Sequence, residues 1–232
     1  MDAVLEAKGV TKRFGNASVL DDLDFSLMQG EVVAVIGPSG TGKTTLLRIL
    51  AGLEPPDLGR VDAKGRIGIV FQTFNLWPHL SVIENVVLPL RKVKKLGEKE
   101  AVMTAIQALE KVKIQHKAAF FPSQLSGGEA QRAAIARTLA MEPEILLFDE
   151  VTSSLSPELV REVAEVISTL AKEGKTMVIV THCLSLASAV ANRIVVLNEG
   201  KIIEQGTPAQ IFYSPQNAFT QKFVSQALEI MA

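Results

Sequence analysis

The sequence predicts an α/β fold: a parallel or mixed sheet flanked by helices, with a helical lobe inserted in its middle. Three observations carry that expectation. Short apolar runs bounded by glycine or charge alternate with longer segments at helical spacing. The stretch from Trp77 to Glu142 shows helical patterns and no convincing strand. Apolar residues make up 47% of the 232, enough for a sizeable core.

In chain order, the strands are expected at Val4 to Val10, Asp24 to Leu27, Glu31 to Ile36, Ile67 to Phe71, Ile145 to Asp149, Thr176 to Val180, Ile194 to Leu197 and Lys201 to Glu204. Helical periodicity follows Gly42, where Leu46, Leu47 and Leu50 form one apolar face and Gly52 ends it. The middle stretch repeats the pattern at Val82 to Leu88, Glu98 to Lys113 and Gly128 to Met141, and Pro208 to Ala232 reads as two short closing helices. The run RKVKK at Arg91 to Lys95 reads as a solvated loop or helix end, with docking to an acidic partner or lipid headgroups as the alternative.

Charge is balanced, with 24 basic against 25 acidic residues, which lacks the basic footprint of a nucleic-acid binder and disfavours that partner. No apolar run approaches the roughly 18 residues that span a bilayer. Charges scattered through the first residues argue against a secretory signal. The single cysteine, Cys183, permits no internal disulfide and makes the cytosol the simplest compartment.

The chemistry begins at GPSGTGKT, Gly37 to Thr44, between an apolar strand and a helix. That context confirms a phosphate-binding loop, and with it a P-loop NTPase core. Glycines let the backbone of Gly37, Pro38, Ser39, Gly40, Thr41 and Gly42 curl so that its N–H groups point inward, making a nest for anionic oxygens at a helix start. Lys43 is placed to reach the β and γ phosphates of a nucleotide, Thr44 to ligate Mg²⁺, and Thr45 to continue the site into the helix. A merely glycine-rich turn has no use for lysine and threonine at these spacings. Downstream, EILLFDE ends an apolar strand with Asp149, a candidate Mg²⁺ ligand, and Glu150, a candidate activator of the attacking water. Strand alternation is expected to point these two side chains apart.

A second glycine motif, QLSGGEAQR at Gln124 to Arg132, looks redundant beside the first. The ordered set GPSGTGKT, Phe71-Gln72, LSGGEAQR, ILLFDE and Thr181-His182 resembles the nucleotide-binding subunit of ATP-binding cassette (ABC) transporters over nearly the whole chain. The resemblance implies a RecA-like core with its antiparallel part at residues 1–76 and 143–232, and a signature-bearing helical lobe at 77–142. It also implies ATP and Mg²⁺, and two copies paired head to tail, so that Ser126, Gly127, Gly128 and Glu129 of one chain face the nucleotide held by the other. Gln72 takes the place of a glutamine that senses Mg²⁺ and the attacking water, His182 that of a histidine on the γ-phosphate, and Phe14 that of an aromatic stacked on adenine. As local structure, Ser126 is a helix N-cap in any case, and Phe14 has an ordinary core or surface role as its alternative.

Three departures stand out. Ser156 replaces a common aspartate that links the two ATP sites; serine is expected to cap the following helix in its stead, with Pro157 in the first turn. Cys183 replaces an acidic residue and reads as a tolerated small residue, since no resolving partner for a redox switch is present. Gly59 to Arg66 is short, trimming the antiparallel part. The implied function is an ATPase driving integral membrane permease subunits from the cytoplasmic face of the membrane. The stretch QTFNLWPHLSVIENV resembles the branch of importers for polar amino acids, which work with a solute-binding protein. The alternative is a membrane-docked cassette ATPase that regulates cell-envelope or division machinery; a GTP switch lacks the NKxD motif.

Overall fold

The computed structural model describes residues 3–229. Its first sheet has three antiparallel strands in the order β2-β1-β4, formed by β1 (Ala3–Phe14), β2 (Ala17–Met28) and β4 (Leu58–Ala63). The second has six strands in the order β5-β6-β7-β3-β8-β9: β3 (Val32–Ile36), β5 (Ile67–Val70), β6 (Ile145–Asp149), β7 (Thr176–Val180), β8 (Arg193–Asn198) and β9 (Lys201–Gly206). The first five run parallel and β9 is antiparallel to β8, so the sheet is mixed. Every residue of β3, β6 and β7 is buried, as expected of central strands covered on both faces.

The antiparallel sheet closes over one face. Leu5, Leu20 and Leu27 meet Leu46, Leu47 and Leu50 of α1 (Lys43–Leu50) and Val33, Val35 and Leu147 of the central strands. Each fully buried leucine contributes about 1.5–3 kcal/mol to this face. On the opposite face pack α5 (Pro157–Lys172) and α6 (Leu184–Val190), and at the β8–β9 end α7 (Pro208–Tyr213) and α8 (Ala218–Glu229). Between β5 and β6 come α2 (Val82–Lys92), α3 (Glu98–Lys111) and α4 (Gly127–Ala140), with two short 3₁₀ turns before α4.

These middle helices pack through small residues. Ala101 and Ala105 of α3, Val82 and Val86 of α2, and Ala133, Ala134 and Ile135 of α4 form one buried cluster. α4 is buried almost all round, which is why its sequence carries alanine where other helices carry charge.

Several expected elements differ in extent. β2 begins at Ala17, well before the expected Asp24, because it pairs along β1 from the Gly15-Asn16 turn onward. β4 was not expected as a strand at all: it lies at a sheet edge, exposed at five of six positions, and its sequence LGRVDA has no apolar alternation. α2 runs past the expected Leu88 and through Pro89 to Lys92. The basic run RKVKK therefore begins inside a helix, and its Lys94 pairs with Glu142. Residues 230–232 of the expected closing helices lie outside the described residues.

Candidate functional site

The parallel strands β3, β5, β6 and β7 end on one side of the sheet, and the loops at their carboxyl ends carry Gly37 to Gly42, Gln72, Glu150 and His182. Crevices at such carboxyl ends are where open α/β sheets place their ligands.

After β3 the chain curls so tightly that two glycines are compulsory. A Cβ at Gly37 (φ +151) falls 2.1 Å from the Leu197 carbonyl oxygen, and one at Gly42 (φ +98) falls 2.7 Å from that of Val19. Lys43 is only 3% exposed. Its Nζ donates to the carbonyls of Gly37 (3.0 Å) and Pro38 (2.7 Å), so the loop holds its own lysine inward. Thr41 Oγ1 also donates to Pro38 O, at 2.9 Å. Gly42 is the N-cap of α1 and supplies no side chain, which leaves the positive end of that helix turned to the loop. Burial lowers the Lys43 pKa, against the pull of Glu150 and Asp149.

Asp149 ends β6, buried, and its Oδ1 accepts from Thr44 Oγ1 at 2.8 Å. Burial pushes its carboxyl above the ordinary carboxylate range, with the Thr44 hydrogen bond opposing. A partly desolvated carboxylate beside a hydroxyl is an oxygen donor pair suited to a hard divalent cation, whose charge offsets that burial. Glu150 takes a left-handed conformation, φ +48. It has left the strand, so strand alternation, contrary to expectation, does not set the direction of its side chain. Such backbone costs about 1–3 kcal/mol and concentrates at active sites.

Around Glu150 several sequence-predicted residues converge. Its Oε1 lies 2.8 Å from His182 Nε2 and 3.9 Å from Lys43 Nζ. Gln72 Nε2 donates to Ser153 Oγ at 2.9 Å, and Ser153 Oγ donates to the Glu150 carbonyl, also at 2.9 Å. Ser153 escaped sequence reasoning; the only signal was its place in the serine tract after Glu150. The turn beyond β7 is fixed by the Cys183 N–H, which donates to Thr181 Oγ1 at 2.9 Å and orients His182 between them.

A cavity of about 350 Å³ lies over the loop, lined by Val19, Ser39, Gly40, Gly42, Lys43, Thr44, Thr45 and Glu150. Val19, from the antiparallel sheet, is a wall residue with no signal in the sequence. Phe14 does not line this cavity: it is 51% exposed near the tip of the β1–β2 hairpin, with Lys12 Nζ 5.5 Å from its ring centroid.

The signature residues do not line it either. Ser126 caps α4, its Oγ accepting from the Glu129 N–H at 3.2 Å while Glu129 Oε2 accepts from the Ser126 N–H at 2.8 Å. This capping box satisfies two donors. The N–H groups of Gly127 and Gly128 find no hydrogen-bond partner among the described residues. Ser156 is the N-cap of α5 as expected, but its side chain makes no capping hydrogen bond, contrary to the expected local role.

Residues 20–153 match the family model described as ABC transporter. The chain is 46% identical to the glutamine transport ATP-binding protein GlnQ of Geobacillus stearothermophilus, over 94% of this chain and 97% of that protein. It is 43% identical to the L-cystine import ATP-binding protein TcyC of Bacillus subtilis, over 97% and 99%. Among solved structures, it resembles a dimeric, post-hydrolysis state of the ATP-binding cassette MJ0796 bound to ADP and Pi. That likeness has a TM-score of 0.79 at 33% identity, over 88% of this chain and 98% of the other.

Proposed function

This chain belongs to the ABC transporter family as an ATP-hydrolysing subunit, and we propose that it works as a homodimer that closes on two Mg-ATP to drive import of a polar amino acid through membrane permease subunits. The observation that carries the reading is that Lys43, Thr44 and Glu150 line one cavity at the strand ends, with Asp149 bonded to Thr44 and His182 to Glu150 beside it. The relatives named above, transporters of glutamine and of cystine, support the solute class.

In this reading the loop N–H groups and Lys43 hold the phosphates, and Phe14 supplies a stacking face for adenine. Thr44, Asp149 and Gln72 hold Mg²⁺, which when bound neutralises charge on the phosphate oxygens. Glu150 takes the proton of the attacking water, and His182 orients Glu150 and contacts the γ-phosphate. The Gly127 and Gly128 N–H groups, with Ser126, close over the partner's nucleotide as a second helix-start anion site. The dimeric structure similar to this chain supports the paired arrangement. No helix among the described residues is long and apolar enough to cross a membrane. In this reading the chain sits at the membrane's cytoplasmic face through its permease partners, with a solute-binding protein delivering cargo on the far side. The test is affinity purification of the chain from solubilised membranes of its source. A multi-span permease should co-purify, and ATPase activity of that complex should rise with a polar amino acid and its binding protein. Recovery of a complex with no permease would overturn the transport assignment.

A further inference from the structure

Residues 71–77, which carry Gln72, leave β5 and run to the middle helices. Among the described residues, the only side-chain hydrogen bond tying this segment to the α/β core is that from Gln72 to Ser153. On the other side it is held by three side chains of the middle helices. Gln131 Nε2 of α4 donates to the Phe71 carbonyl at 3.3 Å. Arg137, also on α4, donates to the Phe74 carbonyl at 3.3 Å and the Asn75 carbonyl at 2.7 Å, and its guanidinium lies 5.0 Å from the Trp77 ring centroid. Asn85 of α2 accepts from the Trp77 N–H at 2.8 Å and donates to the Trp77 carbonyl at 3.2 Å.

Arg137 is the strongest of these fasteners. Its two donors reach successive carbonyls across a turn whose Asn75 is left-handed, φ +50. Donors that carry a charge make roughly twice as strong a hydrogen bond as neutral ones. Among the described residues Arg137 bonds to main-chain carbonyls with no carboxylate partner, and burial lowers its pKa. A half-buried cation satisfied only by main-chain carbonyls and a ring is a costly way to fill space, since an apolar residue would fill it without desolvation. Helix α4 begins at the signature, and Arg137 stands about three turns further along the same rod.

We propose that Arg137 is a positioning residue for ATP hydrolysis: it fastens the Gln72 segment to the signature helix, so that one displacement of α4 sets Gln72 together with Ser126. The one side-chain hydrogen bond from the core to the segment among the described residues then becomes the reporting contact. Any shift of α4 is felt by Ser153 and, through the shared Ser153 hydroxyl, by the carbonyl of the strained Glu150. This rests on the role given above to Gln72.

The test is a double-mutant cycle on the full chain with Mg-ATP, comparing the parent, Gln72→Ala, Arg137→Met and the double variant. Arg137→Met should lower kcat about tenfold with KM for ATP changed less than about threefold. On the Gln72→Ala background it should cost less than about twofold more, because a residue acting through Gln72 has nothing left to position. A role confined to stability instead lowers the melting temperature and leaves kcat intact below it. That result, or losses that multiply, would overturn the proposal. Should Arg137→Met not fold, Arg137→Lys takes its place with the same criteria and a smaller drop, about threefold, since its single ammonium cannot span both carbonyls. Parent-like turnover in Gln72→Ala removes the role of Gln72 and this proposal with it. Impaired Gln72→Ala beside an unaffected Arg137 variant removes this proposal alone.

Discussion

The loop at Gly37 to Lys43 and the signature at Ser126 to Glu129 both open a helix and both contain glycines, yet the glycines answer to different constraints. In the first, Gly37 and Gly42 take conformations closed to other residues, and an added Cβ would strike main-chain oxygens at 2.1 and 2.7 Å. In the second, Gly127 and Gly128 are helical, and an added Cβ meets only side-chain atoms, Leu155 Cδ2 and Leu159 Cδ2, each at 3.0 Å. The first loop is closed on itself, with its lysine buried and bonded to its own carbonyls. The second leaves the N–H groups of Gly127 and Gly128 without a hydrogen-bond partner among the described residues. In the proposed reading, one is a half-site for its own chain's nucleotide and the other closes the half-site of a partner.

The largest effects should separate the two loops by function. Lys43→Ala should remove ATP binding from the monomer itself, raising its dissociation constant at least tenfold, because the phosphates lose their cation. Ser126→Arg should lower ATPase turnover at least a hundredfold while monomer affinity stays within about threefold, as read by titration with a fluorescent ATP analogue. A fall in monomer affinity with Ser126→Arg would place the signature in its own chain's site and erase the contrast.

A smaller effect separates them by stability. Gly42→Ala should cost about 2 kcal/mol or more in denaturant unfolding, from backbone strain and the contact with Val19 O. Gly127→Ala should stay within about 1 kcal/mol, because Leu155 can shift and alanine favours the helix. Equal costs would mean that both loops are strained alike.

The smallest effect concerns the buried carboxylate. Asp149→Asn keeps an acceptor for Thr44 Oγ1 and removes a charge that burial disfavours. Its melting temperature should equal or exceed the parent's by up to a few degrees while turnover collapses. A clear loss of stability would show that the ionised Asp149 is structurally favourable after all.

The central strands and the site motifs were legible in the sequence because each is local: an apolar run, or a glycine pattern between a strand and a helix. β4 was not, since an exposed edge strand has no apolar alternation to betray it. Ser153 and Arg137 were not, because their meaning lies in contacts made 62 to 81 residues away in the chain. The cap at Ser156 shows a subtler limit. Its position at the helix start was readable from Ser156-Pro157, but the missing side-chain capping bond was not. The orientation of Glu150 failed the same way, since periodicity carries no notice of a left-handed residue.

The central claim is that the signature completes a partner's site. Sedimentation velocity of Glu150→Gln, which keeps the site's shape but removes the proposed base, tests it most directly. Adding Mg-ATP should convert the protein from about 25 kDa to a dimer, ADP should not, and Ser126→Arg introduced into the same chain should abolish the conversion. A Glu150→Gln chain that binds ATP and remains a monomer, or a dimer indifferent to Ser126→Arg, would contradict it.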